Sequence, residues 1–297
     1  MKNNLTYLLF APVLALGCSK GGSTRTTAGD GALLSKEVLV YKNADASSLD
    51  SVTTMLAYNT DNTPSQFEQY TYSLFSGGTT TADLTYNFTY SGGLIAGFTG
   101  MVKQVASAST LFTQTTMLST TFHSTAGKVD GYIQTASVSG AAFFPETPET
   151  GNDSALITYD ASGNISTYTI YQEARGATTY VLLTQTTFTF AGGNLVQSVT
   201  QEYVGGVAEG TVTTIYTYNT HLSATPLYII PGVATKITND VSAMSETTTG
   251  VNAGSVAVTF TSTYNTADQP VISSGPVTIT PVTSAAFTQE SISYEYE

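Results

Sequence analysis

Strict alternation is the feature that most constrains this chain. Leu84-Thr85-Tyr86-Asn87-Phe88-Thr89-Tyr90 sets apolar and aromatic side chains against Thr and Asn at every second position. That is the period of a strand whose two faces meet different surroundings. Ser91-Gly92-Gly93 follows, then a second apolar run from Leu94 through Phe98, so the stretch reads strand, turn, strand. The unit recurs. Phe122 leads through Ser124-Thr125-Ala126-Gly127 into Val129 and Tyr132, and Tyr159 through Asp160-Ala161-Ser162-Gly163-Asn164 into Ile165 and Tyr168. Phe188-Thr189-Phe190 leads through Ala191-Gly192-Gly193-Asn194 into Leu195 and Val199. The turn aromatics Tyr90, Phe122, Tyr159 and Phe190 are spaced by about thirty residues, which suits a repeated hairpin. Looser copies occur at Tyr216-Thr217-Tyr218-Asn219, at Tyr264-Asn265-Thr266-Ala267-Asp268 and at Tyr294-Glu295-Tyr296.

Composition agrees. Charged residues make up only 10% of the 297, so the polar face must be built from Thr, Ser, Asn and Gln. Thr and Tyr favour strands, while the good helix formers Glu, Lys, Arg and Leu are scarce. The expected fold is all-β: a large antiparallel up-and-down meander of on the order of fourteen strands, longer than the usual 5–6 residues. Whether it closes, wholly or partly, into a barrel is left open. Two segments interrupt the pattern. Phe143 to Asp153 holds Pro145, Pro148, Glu146, Glu149 and Asp153 and reads as an acidic loop; Asn219 to Thr235 holds Pro226 and Pro231 and breaks the meander for longer. The expectation is one β domain over residues 32–297, with a subdomain boundary near 219–235 as the alternative.

The start of the chain differs in kind. Lys2 gives a positive N-terminus, an uncharged and mostly apolar run extends from Leu5 to Leu16, and Gly17 precedes Cys18. Those are the parts of a secretory signal. The run is shorter than the about 20 apolar residues a spanning helix needs, and Pro12 interrupts it. Leu14-Ala15-Leu16-Gly17-Cys18 resembles the lipobox of bacterial lipoproteins; Leu16 departs from the small residue commoner there. The resemblance implies cleavage before Cys18, with residues 1–17 removed as signal peptide and Cys18 as the lipid attachment site. It also accounts for a lone cysteine in an exported chain. Ser19 in place of Asp implies, by the same resemblance, sorting to the outer membrane. Residues 18–31 are rich in Gly, Ser and Thr and read as a flexible tether.

The charge balance narrows the partners. Nine Lys and Arg stand against 21 Asp and Glu, and the signal segment removes only Lys2. Nucleic-acid binding needs clustered Lys and Arg against phosphate, so it is not expected; attachment to the membrane should run through lipid instead of basic residues.

The Tyr-x-Tyr strand ends, the Tyr159-Asp160 turn and the closing stretch from Tyr218 through Pro226-Leu227 to Tyr264, Pro270 and Tyr294-Glu295-Tyr296 resemble a group of uncharacterised lipoproteins common in Bacteroidetes. That resemblance implies a porin-like β fold whose strands are similar to the tyrosine–aspartate repeats of Rhs-type proteins. It implies no activity.

Catalytic motifs are scarce. No G-x-S-x-G elbow occurs, and Gly127-Lys128-Val129 lacks both the upstream glycine and the hydroxyl of a phosphate loop. The two histidines, His123 and His221, are isolated by sequence, one beside a turn and one at the edge of the long break, and fit no zinc spacing. They are expected to be exposed and without a role. Glu146, Glu149 and Asp153, Asp45 with Asp50, and Asn59 with Asp61 are the weak oxygen clusters a hard cation could use; none has the spacing of a recognised loop, and no metal or cofactor is expected. Paired carboxylates for glycoside cleavage require a fixed separation that spacing alone does not show. Tyr86, Tyr90, Tyr168, Tyr216 and Tyr218 are expected to form cross-strand ladders in the core; an exposed aromatic face that grips glycans is the alternative. The expected function is that of a lipid-anchored envelope scaffold without catalytic activity, engaging an envelope protein or glycan. A glycan hydrolase using Glu146, Glu149 and Asp153 is the alternative.

Overall fold

The computed structural model describes residues 33–43, 49–75, 78–107, 111–141, 151–173, 179–223, 227–230, 233–235, 237–250, 253–280 and 287–296. Cys18, the signal and tether segments, Asp45, Glu146 and Glu149 lie outside these.

The first twelve strands follow one another as a meander. They are β1 (Leu34–Asn43), β2 (Leu49–Tyr58), β3 (Pro64–Phe75), β4 (Gly78–Ser91), β5 (Leu94–Ser107), β6 (Leu111–Thr125), β7 (Lys128–Ala141), β8 (Gly151–Tyr159), β9 (Ile165–Glu173), β10 (Tyr180–Ala191), β11 (Asn194–Val204) and β12 (Val207–Leu222). Each pairs antiparallel with the next. A separate hairpin of β13 (Leu227–Ile230) and β14 (Val233–Thr235) then leaves the wall, which resumes with β15 (Asn239–Thr248) paired to β12. The last strands are β16 (Gly254–Thr259), β17 (Thr261–Tyr264), β18 (Pro270–Thr280) and β19 (Phe287–Tyr296). Both β16 and β17 pair with β18, through Val258 opposite Val277 and Thr261 opposite Ser274. The two are therefore one wall position interrupted at Phe260. β19 pairs antiparallel with β1, with Glu290 opposite Tyr41 and Tyr294 opposite Glu37. The meander thus closes into a barrel of sixteen strand positions, an even number, as first and last strands that meet antiparallel require.

Two expectations need correction. Nineteen strands are described where on the order of fourteen were expected; β13 and β14 are too short to show a period, and the Phe260 break divides one wall position in two. Asp153 belongs to β8 and not to a loop, and β12 runs on to Leu222, three residues beyond Asn219. Alternation wins over proline proximity at both places.

The tight turns follow from backbone geometry. Gly92 and Gly93 both have positive φ, as do Ala126 and Gly127. That is the turn whose twist matches the flanking strands, and it recurs where Ser91 meets Leu94 and Thr125 meets Lys128.

The buried apolar face is continuous around most of the wall. One cluster holds Ile95, Phe98, Phe122, Val129, Tyr132, Ile157 and Ile165; a second holds Leu34, Leu56 and Phe67; a third holds Leu195 and Tyr216. Tyr86 and Phe88 join the first to the second, and Phe188 joins the first to the third. This face is the concave one. Five strand steps separate Tyr86 on β4 from Tyr168 on β9 along the wall, yet the Tyr86 hydroxyl is near enough to add to the rise of the Tyr168 pKa. The other face of the same strands carries Thr85, Asn87 and Thr89 on β4, Thr99 on β5, and Ser119 and Thr121 on β6.

Candidate functional site

The inner wall is divided along its length. Toward the rim where β2, β8, β12 and β19 end, it is aromatic, and tyrosines tie that rim together. Tyr58 donates to the Leu34 carbonyl at 2.7 Å, Tyr159 to Val129 at 2.6 Å, Tyr218 to Leu195 at 2.5 Å and Tyr296 to Pro270 at 2.5 Å. In every case the acceptor lies at the start of the strand paired with the donor's own. The Tyr-x-Tyr ends are explained by this: Tyr216 packs in the cluster, and Tyr218 closes the edge. Deeper in, Phe67 stacks on Tyr86 with centroids 5.7 Å apart, Phe122 meets Tyr132 edge-on at 5.5 Å, and Tyr132 shares a 2.5 Å hydroxyl contact with Tyr168. Tyr86, Tyr90, Tyr168, Tyr216 and Tyr218 all belong to these clusters, so the core expectation for the tyrosines holds.

Away from that rim the inner face turns polar and acidic. Alternation and register put Glu37, Asp50, Asp153, Glu202, Glu246 and Glu290 on it. Burial raises the pKa of each. Asp50 is steadied by the Leu74 N–H at 3.2 Å, and Glu246 by the Thr214 hydroxyl at 3.5 Å. The extreme pair is Glu37, pushed up to about 8 by burial and then by Glu290, and Glu290, pushed up to about 7 by burial. Sequence reasoning missed both, although Glu290-Ser291-Ile292-Ser293-Tyr294 already alternates with Glu290 in the inward phase.

The three lysines whose side chains are described do not answer these acids. Lys36 lies on the outer face, 2.6 Å from Glu295; Lys103 is exposed there opposite Asp83; and Lys128 sits over the Tyr159 ring at 4.6 Å.

His221 is not the loop residue expected. It occupies the end of β12, stacked on Tyr264 with centroids 3.8 Å apart, and its Nδ1 lies 2.6 Å from Asp268. Behind it, the Tyr264 hydroxyl donates to buried Asp240 at 2.9 Å, and the Asn219 amide reaches both, at 2.6 and 3.2 Å. Burial raises the Asp240 pKa, and the hydrogen bonds from Tyr264 and Asn219 hold it back. The members satisfy one another, so the network staples β12, β15 and β17 together. His123 is exposed near the end of β6. Asp61 caps its own turn through the Thr63 N–H at 3.1 Å, and Asn59 reaches the Thr63 hydroxyl at 3.0 Å. Among the described residues no three His, Cys, Asp or Glu converge as a metal site.

The sequence matches no protein-family model and no curated protein. Solved structures of similar shape include a porin-like protein from Bacteroides uniformis, at 9% identity and a TM-score of 0.47, covering 89% of this chain and 98% of that one. A porin-like protein from Bacteroides vulgatus matches at 14% identity and a TM-score of 0.49, covering 90% of this chain and 99% of that one.

The buried acids set a pH dependence of stability. A carboxyl whose folded pKa exceeds its unfolded value favours the folded state below the unfolded pKa, near 4.5 here, and loses that contribution as pH rises through the folded value. For Glu37 and Glu290 the window runs from about 4.5 to about 8. The urea midpoint should therefore fall as pH is raised from 5 to 8. In a Glu37→Gln, Glu290→Gln protein the fall should be smaller; an equal slope in both proteins would refute this assignment.

Proposed function

We propose that the protein is a lipid-anchored scaffold of the cell envelope, whose barrel stands in water at the outer membrane and acts by binding, without a catalytic step. The observation that carries this reading is the polarity of the outer wall. Its rows are Thr and Ser, and near mid-strand Asp83 is exposed in register with exposed Lys103. A lipid-facing barrel needs an apolar outer band, and charge at its midplane costs several kcal/mol, roughly 2–4 for Lys. Exposed apolar residues are interleaved with the polar rows: Met101 lies beside Met117 and Ile133 near Leu156, while Met55, Ile215 and Ile272 are on other strands and Val204 and Val207 flank a turn. A barrel so built requires another attachment, and Cys18 behind the apolar run supports an acyl one. The interior, aromatic at one end and acidic toward the other, suits ligand binding. A glycan or an envelope protein is the partner class proposed.

Three results check this. Labelled palmitate should enter the native protein and be absent from Cys18→Ser, which should accumulate as uncleaved precursor. With residues 1–18 replaced by an ordinary cleavable secretion signal, the chain should appear in the soluble envelope fraction; retention in the membrane pellet would mean that the wall spans lipid. Purified protein should leave peptidoglycan and surface polysaccharide intact, and turnover abolished by a change at Glu146, Glu149 or Asp153 would establish the hydrolase instead.

A further inference from the structure

Resting on the reading of the barrel as a binding body, we infer that the inner wall where β1 meets β19 is a site for an organic cation, an ammonium or guanidinium group seated between Glu37 and Glu290. Three inward positions of β1 face three of β19: Glu37 opposite Tyr294, Leu39 opposite Ile292, and Tyr41 opposite Glu290. The two carboxyls thus occupy diagonal corners of one tile, and two tyrosines occupy the others.

Glu37 is 9% exposed and Glu290 6%. Among the described residues no hydrogen bond reaches either carboxyl, and neither owes any part of its pKa to one. Both carboxyls therefore keep hydrogen-bonding capacity that a ligand could use. The neighbours described around the tile add acids and hydroxyls. Asp50 on β2 pairs with Tyr41, Thr54 pairs with Glu37, and Glu246 on β15 is near enough to raise Tyr41; Asp240 and Tyr296 complete the titratable groups around Tyr294. No Lys or Arg whose side chain is described faces this tile. An ammonium or guanidinium would supply charge-assisted hydrogen bonds to the carboxyls and could lie against the Tyr41 and Tyr294 rings. A single metal ion fits less well, because among the described residues no third ligand converges with the two carboxyls.

Binding is coupled to protons. Burial favours the protonated form of both carboxyls, so an entering cation drives protons into solution. Lowering the pH strengthens the competing proton, since every facing group named is an acid, a phenol or an uncharged hydroxyl.

The test is calorimetric titration of the full-length protein in detergent with spermidine, at pH 8 and pH 6, in two buffers of different ionisation enthalpy. The expected result is binding at pH 8 with proton release, weakened at least tenfold at pH 6 and at least tenfold by Glu37→Gln with Glu290→Gln. Glu290→Gln alone should weaken it in part, which keeps the test intact if the double variant fails to fold. Glu295→Gln, on the outer face, should change nothing. Absence of spermidine binding, equal binding by the variants, or calcium binding tightly with the same variant dependence would each overturn the organic-cation site. None of these would touch the scaffold reading, which is tested separately by palmitate labelling, by fractionation of the lipid-free secreted form and by the turnover assay.

Discussion

Replacing Gly275 with alanine is expected to destabilise the barrel by about 2–4 kcal/mol, more than any single turn glycine. A Cβ at Gly275 would lie 1.9 Å from the Thr259 carbonyl oxygen and 2.8 Å from its carbon. Both are backbone atoms at the Phe260 interruption, where β16 gives way to β17 and the Phe260 N–H donates to the Ser242 carbonyl at 2.8 Å. The wall can relieve the clash only by parting there, and closure runs through this point. Gly92 is the control. Its φ is +60°, but nothing lies within 4 Å of a Cβ built on it, so Gly92→Ala should cost only the strain of a left-handed residue, about 1–2 kcal/mol. Urea unfolding followed by circular dichroism would measure both. A Gly275→Ala midpoint at or above that of Gly92→Ala would refute the closure argument.

That glycine also marks where the sequence stops being readable. The regular hairpins were legible because each states its phase clearly: in Leu84 through Tyr90 every inward residue is apolar and every outward one is Thr or Asn. The tight turns were legible because Gly-Gly and Ala-Gly pairs have few other uses between such runs. Closure was not, because it depends on β1 meeting β19 across more than 250 residues, and no local pattern records it. β1 itself is ambiguous, since Glu37-Val38-Leu39-Val40-Tyr41 is apolar in both phases between its ends. Glu37 could not be placed until Tyr294 was seen opposite it. Glu290 was another matter; the serines at 291 and 293 give the phase, and an acid in the inward phase was the available signal. The His221 cluster was hidden for a topological reason. Asn219, Asp240, Tyr264 and Asp268 are brought together only after the β13–β14 hairpin is looped out of the wall.

The stratified lumen links these observations. Aromatic residues gather at the rim of short turns, where tyrosine hydroxyls can reach the carbonyls of neighbouring strand starts. That arrangement satisfies the phenol while its ring remains in the apolar cluster. The acids gather where the inner face is otherwise Thr, Gln and small residues, and there burial raises their pKa values. One end of the barrel is thus held by packing, and the other is left able to respond to pH and to cations.

Phe67→Ala should test that division from the packed end, with an expected cost of about 3–5 kcal/mol. Phe67 is 1% exposed, lies in the cluster with Leu34 and Leu56, and stacks on Tyr86. Tyr86 in turn sits 4.6 Å from Phe98, whose ring lies 6.1 Å from Phe122. Removing the Phe67 ring leaves a cavity beside a chain of contacts, and Tyr86 is the side chain most able to collapse into it. The chain has no tryptophan, so tyrosine signals dominate its near-ultraviolet circular dichroism, and the change at Tyr86 should be visible there at temperatures well below unfolding. Tyr294, opposite Glu37, packs against this cluster, but the backbone positions of Glu37 and Glu290 are set by the β1–β19 pairing, so the acidic end should be largely retained. The pH slope of stability should therefore persist in Phe67→Ala with a lower midpoint. A loss of under about 1 kcal/mol, within the range of ordinary surface changes, would mean that the aromatic wall does not act as the core; loss of the pH slope together with the midpoint would mean that the two ends are one cooperative unit.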